Sequence, residues 1–264
     1  MNQGICLSMC VAIRAEASHR SEMVSQLLFG ESYHVIDKQD EWVKISTTDC
    51  QYEGWIAQKQ HTEISDTEFQ NWLHCPKEMV RTDFLYLRHT DTRIPFPILI
   101  GSVYPKSQDG TFSVNGQSYT VIQPTKTTAP RHEGLSEQQD ALLAFAFHYL
   151  NAPYLWGGRT IAGIDCSGFT QNVFHSIGID LPRDASQQVN CGSVVDFVEE
   201  AKIGDIAFFE NEEGRIIHVG IICGQNQIIH ASGHVQINTL DSTGIFNQDI
   251  KQYTHRLRII KRVL

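Results

Sequence analysis

The segment from Pro153 to Phe169 constrains the fold of this chain most strongly, because it is a glycine-punctuated polar loop that continues directly into a helical pattern. Its sequence is Pro-Tyr-Leu-Trp-Gly-Gly-Arg-Thr-Ile-Ala-Gly-Ile-Asp-Cys-Ser-Gly-Phe, and the helix-like residues 170–177 follow. Cys166 is therefore predicted at a helix N-terminus. Unsatisfied backbone N–H groups and the positive end of the helix dipole favour a thiolate there, so we expect a lowered thiol pKa and a reactive sulfur.

Two histidines follow about fifty residues later, each on a short run rich in β-forming residues. His218 lies in Ile216–Ile222 and His230 lies in Ile228–Ala231. A thiol, a base that takes its proton and a third group that orients the base form an activated nucleophile. A single histidine among isoleucines and valines is more often a buried core residue, so the interpretation depends on the three residues acting together.

These motifs resemble the catalytic core of the NlpC/P60 cysteine peptidases, a papain-like family of bacterial cell-wall peptide hydrolases. The resemblance is carried by Asp-Cys-Ser-Gly-Phe at 165–169, His-Val-Gly-Ile at 218–221 and Ile-His-Ala at 229–231. A Tyr-x-Trp-Gly-Gly sequence at 154–158 also matches. The similarity covers roughly residues 135–264 and predicts an α+β domain in which the cysteine helix packs on an antiparallel sheet.

The resemblance implies a role for each of these residues. Cys166 would be the nucleophile, His218 the general base and His230 the group that orients the base. Tyr154 and Trp156 would line the substrate groove, and Tyr154 would help to hold the oxyanion, although both could be packing aromatics. No metal ion or organic cofactor is implied. The seven cysteines also show no CxxC pair or zinc-ligand spacing, which is typical of reduced thiols in a reducing compartment.

Asp165 precedes the nucleophile directly. A free carboxylate next to the thiol would raise the thiol pKa, so we expect a cation to compensate it, and the ammonium group of a substrate is the natural candidate. The resemblance extends to γ-D-glutamyl-L-diamino acid endopeptidases, which act on cell-wall peptides with a free N-terminal L-Ala. In that group Asp165 and Ser167 would bind the amine and neighbouring polar groups, and Ser186 would contribute from a facing loop.

The residues before the catalytic domain alternate in hydrophobicity with period two and contain frequent turn signals, which predicts small antiparallel barrels. Residues 1–64 resemble a bacterial SH3 (SH3b) domain, and 77–125 are predicted as a second, more divergent SH3b-like barrel. Ser65–Pro76 is predicted as a polar connector. The Pro- and Thr-rich segment 124–131 is predicted as a linker to a catalytic domain at 132–264.

The predicted fold class is therefore α+β, with a papain-like NlpC/P60 catalytic domain preceded by two small all-β SH3b-like barrels. An acidic residue of the first barrel would close the end of the substrate groove, and Glu53 is the candidate. The alternative is that Glu53 is a solvated turn residue, and the barrels could serve only as spacers.

The leading functional hypothesis is a cysteine endopeptidase that cleaves the bond between γ-D-Glu and meso-diaminopimelate or L-Lys during cell-wall peptide recycling. The alternatives are a secreted lysin acting on intact wall and a non-catalytic SH3b wall-binding adaptor. A formal charge of −9 argues against nucleic-acid and anionic-membrane partners. We expect a monomer that binds murein peptide.

The apolar N-terminal residues Ile5–Ile13 lack the basic region and cleavage site of a signal peptide. They are predicted as a first β-strand, and a cytoplasmic location follows. A chain trimmed of its leader would have the same sequence pattern and would be periplasmic or secreted.

Overall fold

A computed structural model describes residues 2–122 and 134–264. These residues form two compact units. Unit 1 holds the residues up to 122 together with Gly157–Ile161, and unit 2 holds 134–156 and Ala162–Leu264. The segment predicted as a linker, 124–131, lies outside the described residues. Among the helices in the described part of the chain, none is long and apolar enough to cross a membrane.

Unit 1 begins with a seven-stranded antiparallel sheet. Its strands are β1 (Gln3–Ile5), β2 (Cys10–Arg14), β3 (Met23–Leu28), β4 (Ser32–Gln39), β5 (Trp42–Thr47), β6 (Glu53–Ala57) and β7 (Glu63–Ile64). Their order in the sheet is β3-β2-β6-β5-β4-β1-β7. Alternation places Val43 and Ile45 in the core, whereas Lys44 between them lies on the other face. The strand predicted at Ile5–Ile13 is wrong, because a bend at 8–9 separates β1 from β2.

Unit 1 continues with a helix and six more strands. The elements are α1 (Asp66–His74), β8 (Lys77–Met79), β9 (Phe84–His89), β10 (Pro95–Leu99), β11 (Val103–Pro105), β12 (Thr111–Val114) and β13 (Gln117–Ile122). They form a four-stranded sheet, β10-β9-β13-β12, and a two-stranded sheet, β11-β8. Asn115 and Gly116 form the turn between β12 and β13, and both have the positive φ that such a hairpin turn requires.

The polar connector predicted at Ser65–Pro76 is wrong, because most of it forms α1. Ser65 and Glu68 make a reciprocal capping box that satisfies free N–H groups at the helix start. The helix buries Phe69 and Trp72 in one apolar cluster with Phe29, in the turn after β3, and several residues of the second half. The Trp72 indole also donates to the Gly30 carbonyl at 2.9 Å. The two halves of unit 1 thus share a core.

A short segment from later in the chain completes unit 1. It contains β14 (Arg159–Thr160). The buried Arg159 guanidinium lies 2.8 Å from the Glu31 carboxylate, and the Arg159 backbone N–H donates to the Gln26 side chain at 2.8 Å. Gly157 has a φ of +74°, and a Cβ there would lie only 2.2 Å from the Met23 carbonyl oxygen. A buried ion pair and a close backbone contact therefore hold this segment in unit 1.

Unit 2 contains three α-helices and eight strands within the described residues. They are α2 (Glu137–Phe147), β15 (Gly163–Ile164), α3 (Cys166–His175), α4 (Ala185–Gln188), β16 (Ser193–Val195), β17 (Ile206–Glu210), β18 (Ile216–Gly224), β19 (Gln227–Ser232), β20 (His234–Leu240), β21 (Gly244–Asn247) and β22 (Gln252–Arg262). The main sheet has the order β16-β22-β17-β18-β19-β20-β21. α3 packs on β18 and β19, and α2 packs on α3. The α+β class predicted for the catalytic region is confirmed.

Several elements of unit 2 match the sequence predictions. Cys166 begins a helix, and His218 and His230 lie on consecutive strands of the sheet. α2 begins at a capping box formed by Ser136 and Gln139 and ends at Phe147. Ser186, which is expected on a facing loop, lies instead in the short helix α4.

Candidate active site

Cys166 is the first residue of α3, and its setting follows from the residue before it. Asp165 is the N-cap, with extended backbone angles, and its carboxylate accepts a 2.6 Å hydrogen bond from the Gly168 N–H. This bond satisfies one of the free donors at the helix start. The Cys166 backbone N–H has no hydrogen-bond partner within the described chain. It is therefore available to bind an oxyanion.

The surroundings of the Cys166 thiol favour its neutral form. Burial first, and then the Asp165 carboxylate, raise its pKa to about 12, while the Val219 N–H, the Arg183 charge and the Ser167 N–H act in the opposite direction. The expectation that the helix N-terminus lowers this pKa is wrong, because desolvation of a nearly fully buried sulfur outweighs those favourable contacts. A base must remove the proton as the sulfur reacts.

The cation that compensates Asp165 belongs to the protein. The Arg183 guanidinium, which is 2% exposed, contacts both carboxylate oxygens of Asp165, at 2.6 and 3.0 Å. It also donates to the Ser167 hydroxyl at 2.9 Å. The expectation that a substrate ammonium must neutralise Asp165 is therefore wrong as an electrostatic argument. A bidentate arginine satisfies the charge before any substrate binds.

The two histidines lie against each other across neighbouring strands. His218 is on β18 and His230 on β19, and His218 Nε2 lies 2.8 Å from His230 Nδ1. Gly220 makes this contact possible, since a Cβ at that position would lie 2.8 Å from the His230 Cβ. The Val219 N–H that contacts the Cys166 sulfur follows His218 directly in the chain. The thiol and the histidine pair therefore belong to one site.

Both histidines are neutral in this setting. Burial lowers the pKa of His218 well below its ordinary value, and the neighbouring His255 and His230 lower it further. Burial also lowers the pKa of His230 to about 4, against the opposing effect of a 2.8 Å hydrogen bond with Asn238. A neutral imidazole has one nitrogen with a free lone pair. The pair can therefore accept the thiol proton at neutral pH.

A third histidine, His255 on β22, stacks on His218 with ring centroids 4.0 Å apart and an angle of 27°. One nitrogen from each of His218, His230 and His255 lies within 4.8 Å of the others, so within the described residues these three histidines form a group that could hold a metal ion. However, stacked rings direct their in-plane lone pairs side by side, and His218 and His230 are already joined by a hydrogen bond. The arrangement is better suited to orienting a base than to binding a metal ion.

The structure places Tyr154 near the thiol. Its hydroxyl pKa is raised by burial first and then by the charges of Cys166 and Asp165, so the hydroxyl remains a hydrogen-bond donor. The Tyr154 backbone is fixed by a 2.9 Å bond from its N–H to the Gly233 carbonyl. Trp156 is 62% exposed, as a groove-lining side chain would be.

Three further residues were predicted to bind substrate: Ser167, Ser186 and Glu53. Ser167 contacts Asp165 and Arg183, as described above. Ser186 lies in α4 and is exposed. Glu53 lies in unit 1, on β6, where its exposed carboxylate pairs with Lys44 at 2.8 Å. The predicted roles of Ser186 and Glu53 in substrate binding stay predictions.

Sequence reasoning missed Arg183, Asn238 and His255. Arg183 lies outside the recognised motifs, and an arginine eighteen residues after a buried aspartate gives no local signal. Asn238 and His255 become visible only once the strand registers are known. In the register of β19 with β20, Gln236 lies opposite His230, and Asn238 lies two residues further along β20. A correct pairing of the two strands would therefore have indicated that the polar Asn238 lies close to His230.

Comparisons with known proteins agree with this site. The model of the NlpC/P60 family matches residues 151–254, and that of the bacterial dipeptidyl-peptidase SH3 domain matches residues 13–60. A γ-D-glutamyl-L-lysine dipeptidyl-peptidase of Bacillus subtilis (strain 168) is 32% identical over 83% of this chain and 76% of its own length. A protein of the same name from Bacillus cereus is 27% identical over 88% of this chain and 74% of its own length.

A crystal structure of an NlpC/P60 family protein from Bacillus cereus has the same fold. It aligns over 99% of both chains with a TM-score of 0.80 at 20% sequence identity. Fold and site together define a cysteine peptidase with a papain-like catalytic domain. The chain belongs to the NlpC/P60 family and carries a bacterial dipeptidyl-peptidase SH3 domain ahead of the catalytic domain.

Proposed function

We propose that this protein is an endopeptidase that hydrolyses the bond between γ-D-Glu and the diamino acid in cell-wall peptides with a free N-terminal L-Ala. The observation that carries the proposal is the His218–His230 hydrogen bond of 2.8 Å in the same site as the buried Cys166. The substrate class is supported by relatives named γ-D-glutamyl-L-lysine dipeptidyl-peptidase. L-Lys and meso-diaminopimelate are both candidates for the diamino acid.

The proposed reaction begins with a thiol and a neutral imidazole. As Cys166 Sγ attacks the γ-carbonyl carbon of D-Glu, His218 takes the thiol proton, and the Cys166 N–H stabilises the oxyanion. The C–N bond then breaks, and the imidazolium of His218 gives its proton to the amine of the departing diamino acid. Water hydrolyses the thioester that remains, with His218 again accepting the proton. His230 holds His218 in orientation throughout.

The proposed substrate groove is lined by the residues around the thiol. Trp156 offers an exposed aromatic face and Tyr154 a neutral hydroxyl donor. Asp165 and Ser167 form the polar end at which the L-Ala amine is placed, and Ser186 contributes from α4. Arg183 already neutralises the Asp165 carboxylate. The substrate amine would therefore form a further contact with the Asp165–Arg183 pair, and would not be needed to neutralise an isolated charge.

The test compares L-Ala-γ-D-Glu-diamino acid tripeptide with the same peptide acetylated on its L-Ala amine, with the products analysed by mass. We expect acetylation to lower kcat/KM about a hundredfold, since removing one partner of a desolvated polar contact costs about 2–5 kcal/mol. Cys166→Ala is the control and should cleave neither peptide. Equal cleavage of both peptides by the unmodified protein would contradict the requirement for a free amine.

We also propose that the protein acts in the cytoplasm on peptides released during wall recycling. All seven cysteines are free thiols, which supports a reducing compartment. Incubation with intact wall sacculi is the discriminating experiment, because a recycling enzyme should release no peptides from them. Efficient release from sacculi would favour the alternative of a secreted wall lysin.

A further inference from the structure

Asn238 is a polar residue at the far end of the histidine pair. It lies on β20, whose register with β19 places Gln236 opposite His230 and Asn238 two residues further along the same face. Asn238 Oδ1 is 2.8 Å from His230 Nε2. His230 is 1% exposed, so its ring nitrogens need hydrogen-bond partners within the protein. Asn238 is the partner of Nε2, and His218 is the partner of Nδ1.

This chain of contacts determines which nitrogen carries each proton. An amide oxygen can only accept, so the proton of neutral His230 is on Nε2 and its Nδ1 has the lone pair. His230 Nδ1 therefore accepts from His218 Nε2, which must carry the proton of that ring. His218 Nδ1 is left with the lone pair. It is the nitrogen able to take the Cys166 proton.

We propose that Asn238 is a positioning residue that fixes the tautomer of His230 and, through it, the tautomer of His218 that can act as a base. The inference deepens the proposed function and rests on it for the kinetic part of its test. Without an acceptor at Asn238, the proton of His230 can move to Nδ1. Two N–H groups would then face each other unless His218 also changed tautomer, which would place a proton on the nitrogen needed to accept one.

Two other histidines lie close to the pair: His255 stacks on His218 from β22, and His234 on β20 adds to burial in lowering the pKa of His230. The Cys166 thiol belongs to the same site through the Val219 N–H, which follows His218 in the chain. The hydrogen-bond partner of His230 Nε2 is Asn238. Gln236 provides a matched control, because it lies opposite His230 on the same strand face as Asn238 but donates to the Ser232 carbonyl at 2.6 Å.

The kinetic experiment compares Asn238→Leu, Asn238→Asp and Gln236→Leu on the free tripeptide. Loss of a hydrogen bond that orients a functional imidazole typically costs about 10- to 100-fold. We expect Asn238→Leu to lower kcat by about that factor with KM within about twofold, and Gln236→Leu to change neither. Asn238→Asp keeps the acceptor and should restore most of kcat. Its negative charge should also move the acid limb of the kcat/KM profile upward by about one pH unit or more.

A substrate-free measurement separates this inference from the proposed function. Nitrogen-15 NMR of histidine-labelled protein reports which ring nitrogen is protonated. The unmodified protein and Gln236→Leu should show His218 and His230 protonated on Nε2, whereas Asn238→Leu should show a different or mixed tautomer at both. A proton on His218 Nδ1 in the unmodified protein would overturn the proposal, as would wild-type tautomers or wild-type kcat in folded Asn238→Leu. These spectra decide the tautomer even if the tripeptide is not the substrate.

Discussion

At the scale of single residues, the buried pair of Asp165 and Arg183 holds the start of the catalytic helix. Asp165 caps α3, and Arg183 binds its carboxylate and the Ser167 hydroxyl at once. A buried ion pair adds little net stability over an apolar pair, but removing one partner leaves an uncompensated buried charge. Removing either Asp165 or Arg183 alone should therefore destabilise the folded protein.

Arg183→Met should accordingly destabilise the protein strongly. We expect the free energy of unfolding to fall by about 3–5 kcal/mol, because Asp165 remains buried without its cation. Urea unfolding measures the change. Arg256→Met is the control, since Arg256 is mostly exposed in its contact with Glu210 and should contribute less than about 1 kcal/mol. A cost for Arg183→Met no larger than that of the control would show that the pair is not structurally important.

The same pair marks the limit of what the sequence could predict at this scale. Cys166, His218 and His230 could be found because they lie in contiguous motifs whose neighbours indicate the element that carries them. Arg183 and Asn238 lie in no such motif, and their roles come from contacts across 18 and 8 residues that depend on the tertiary fold. The thiol pKa was mispredicted for a related reason, because burial cannot be judged from the helix start alone.

At the scale of elements, the close approach of β18 and β19 brings the two histidines together. Gly220 lies two residues after His218 on the same face of β18, and a side chain there would occupy the space next to the His230 Cβ. The sequence His-Val-Gly therefore supplies both the base, His218, and the glycine that leaves space for His230. The isoleucines and valine that flank His218 were sufficient to predict a strand. They did not indicate that position 220 must be glycine to leave space for His230.

Gly220→Ala should disturb this contact while retaining the fold. The added Cβ would lie 2.8 Å from both the His230 Cβ and Ile228 Cδ1, so His230 must shift. We expect a fall of about 1–3 kcal/mol in unfolding free energy. We also expect a loss of about tenfold to a hundredfold in kcat/KM, because small displacements of catalytic groups are costly.

Gly224→Ala on the same strand is the matched control. Its Cβ would meet the flexible end of the Gln227 side chain at 2.6 Å, and that end can move away. It should therefore retain near wild-type activity. If Gly220→Ala were as active as Gly224→Ala, the close approach at Gly220 would not be what positions His230.

Two further elements show why some local predictions failed. The polar composition of Ser65–Pro76 favours a connector, although Ser65 and Glu68 have the spacing of a capping box and so signal a helix start. The strand predicted at Ile5–Ile13 was continuous in hydrophobicity but is interrupted by a bend. Strands whose alternation is bounded by a clear turn signal, such as β12 and β13 on either side of Asn115-Gly116, are easier to locate from the sequence.

At the scale of the whole molecule, unit 1 is held together by one shared apolar core, and unit 2 carries the catalytic residues. In unit 1, Phe29, Trp72 and Tyr119 belong to one apolar cluster that joins the two halves predicted as separate SH3b-like barrels. The sequence could predict the strands of each half, but a core shared between them depends on how α1 packs. In unit 2, one sheet and α3 carry the complete set of Cys166, His218 and His230.

In the proposed reaction, Cys166 attacks the γ-D-glutamyl carbonyl and forms a thioester. The most direct measurement is the intact mass of the protein, acid-quenched within one turnover of the L-Ala-γ-D-Glu-diamino acid tripeptide, followed by peptide mapping. We expect an L-Ala-γ-D-Glu acyl adduct on Cys166, and no adduct and no cleavage with Cys166→Ala. Cleavage of the tripeptide by folded Cys166→Ala, or an adduct on any other residue, would contradict the account.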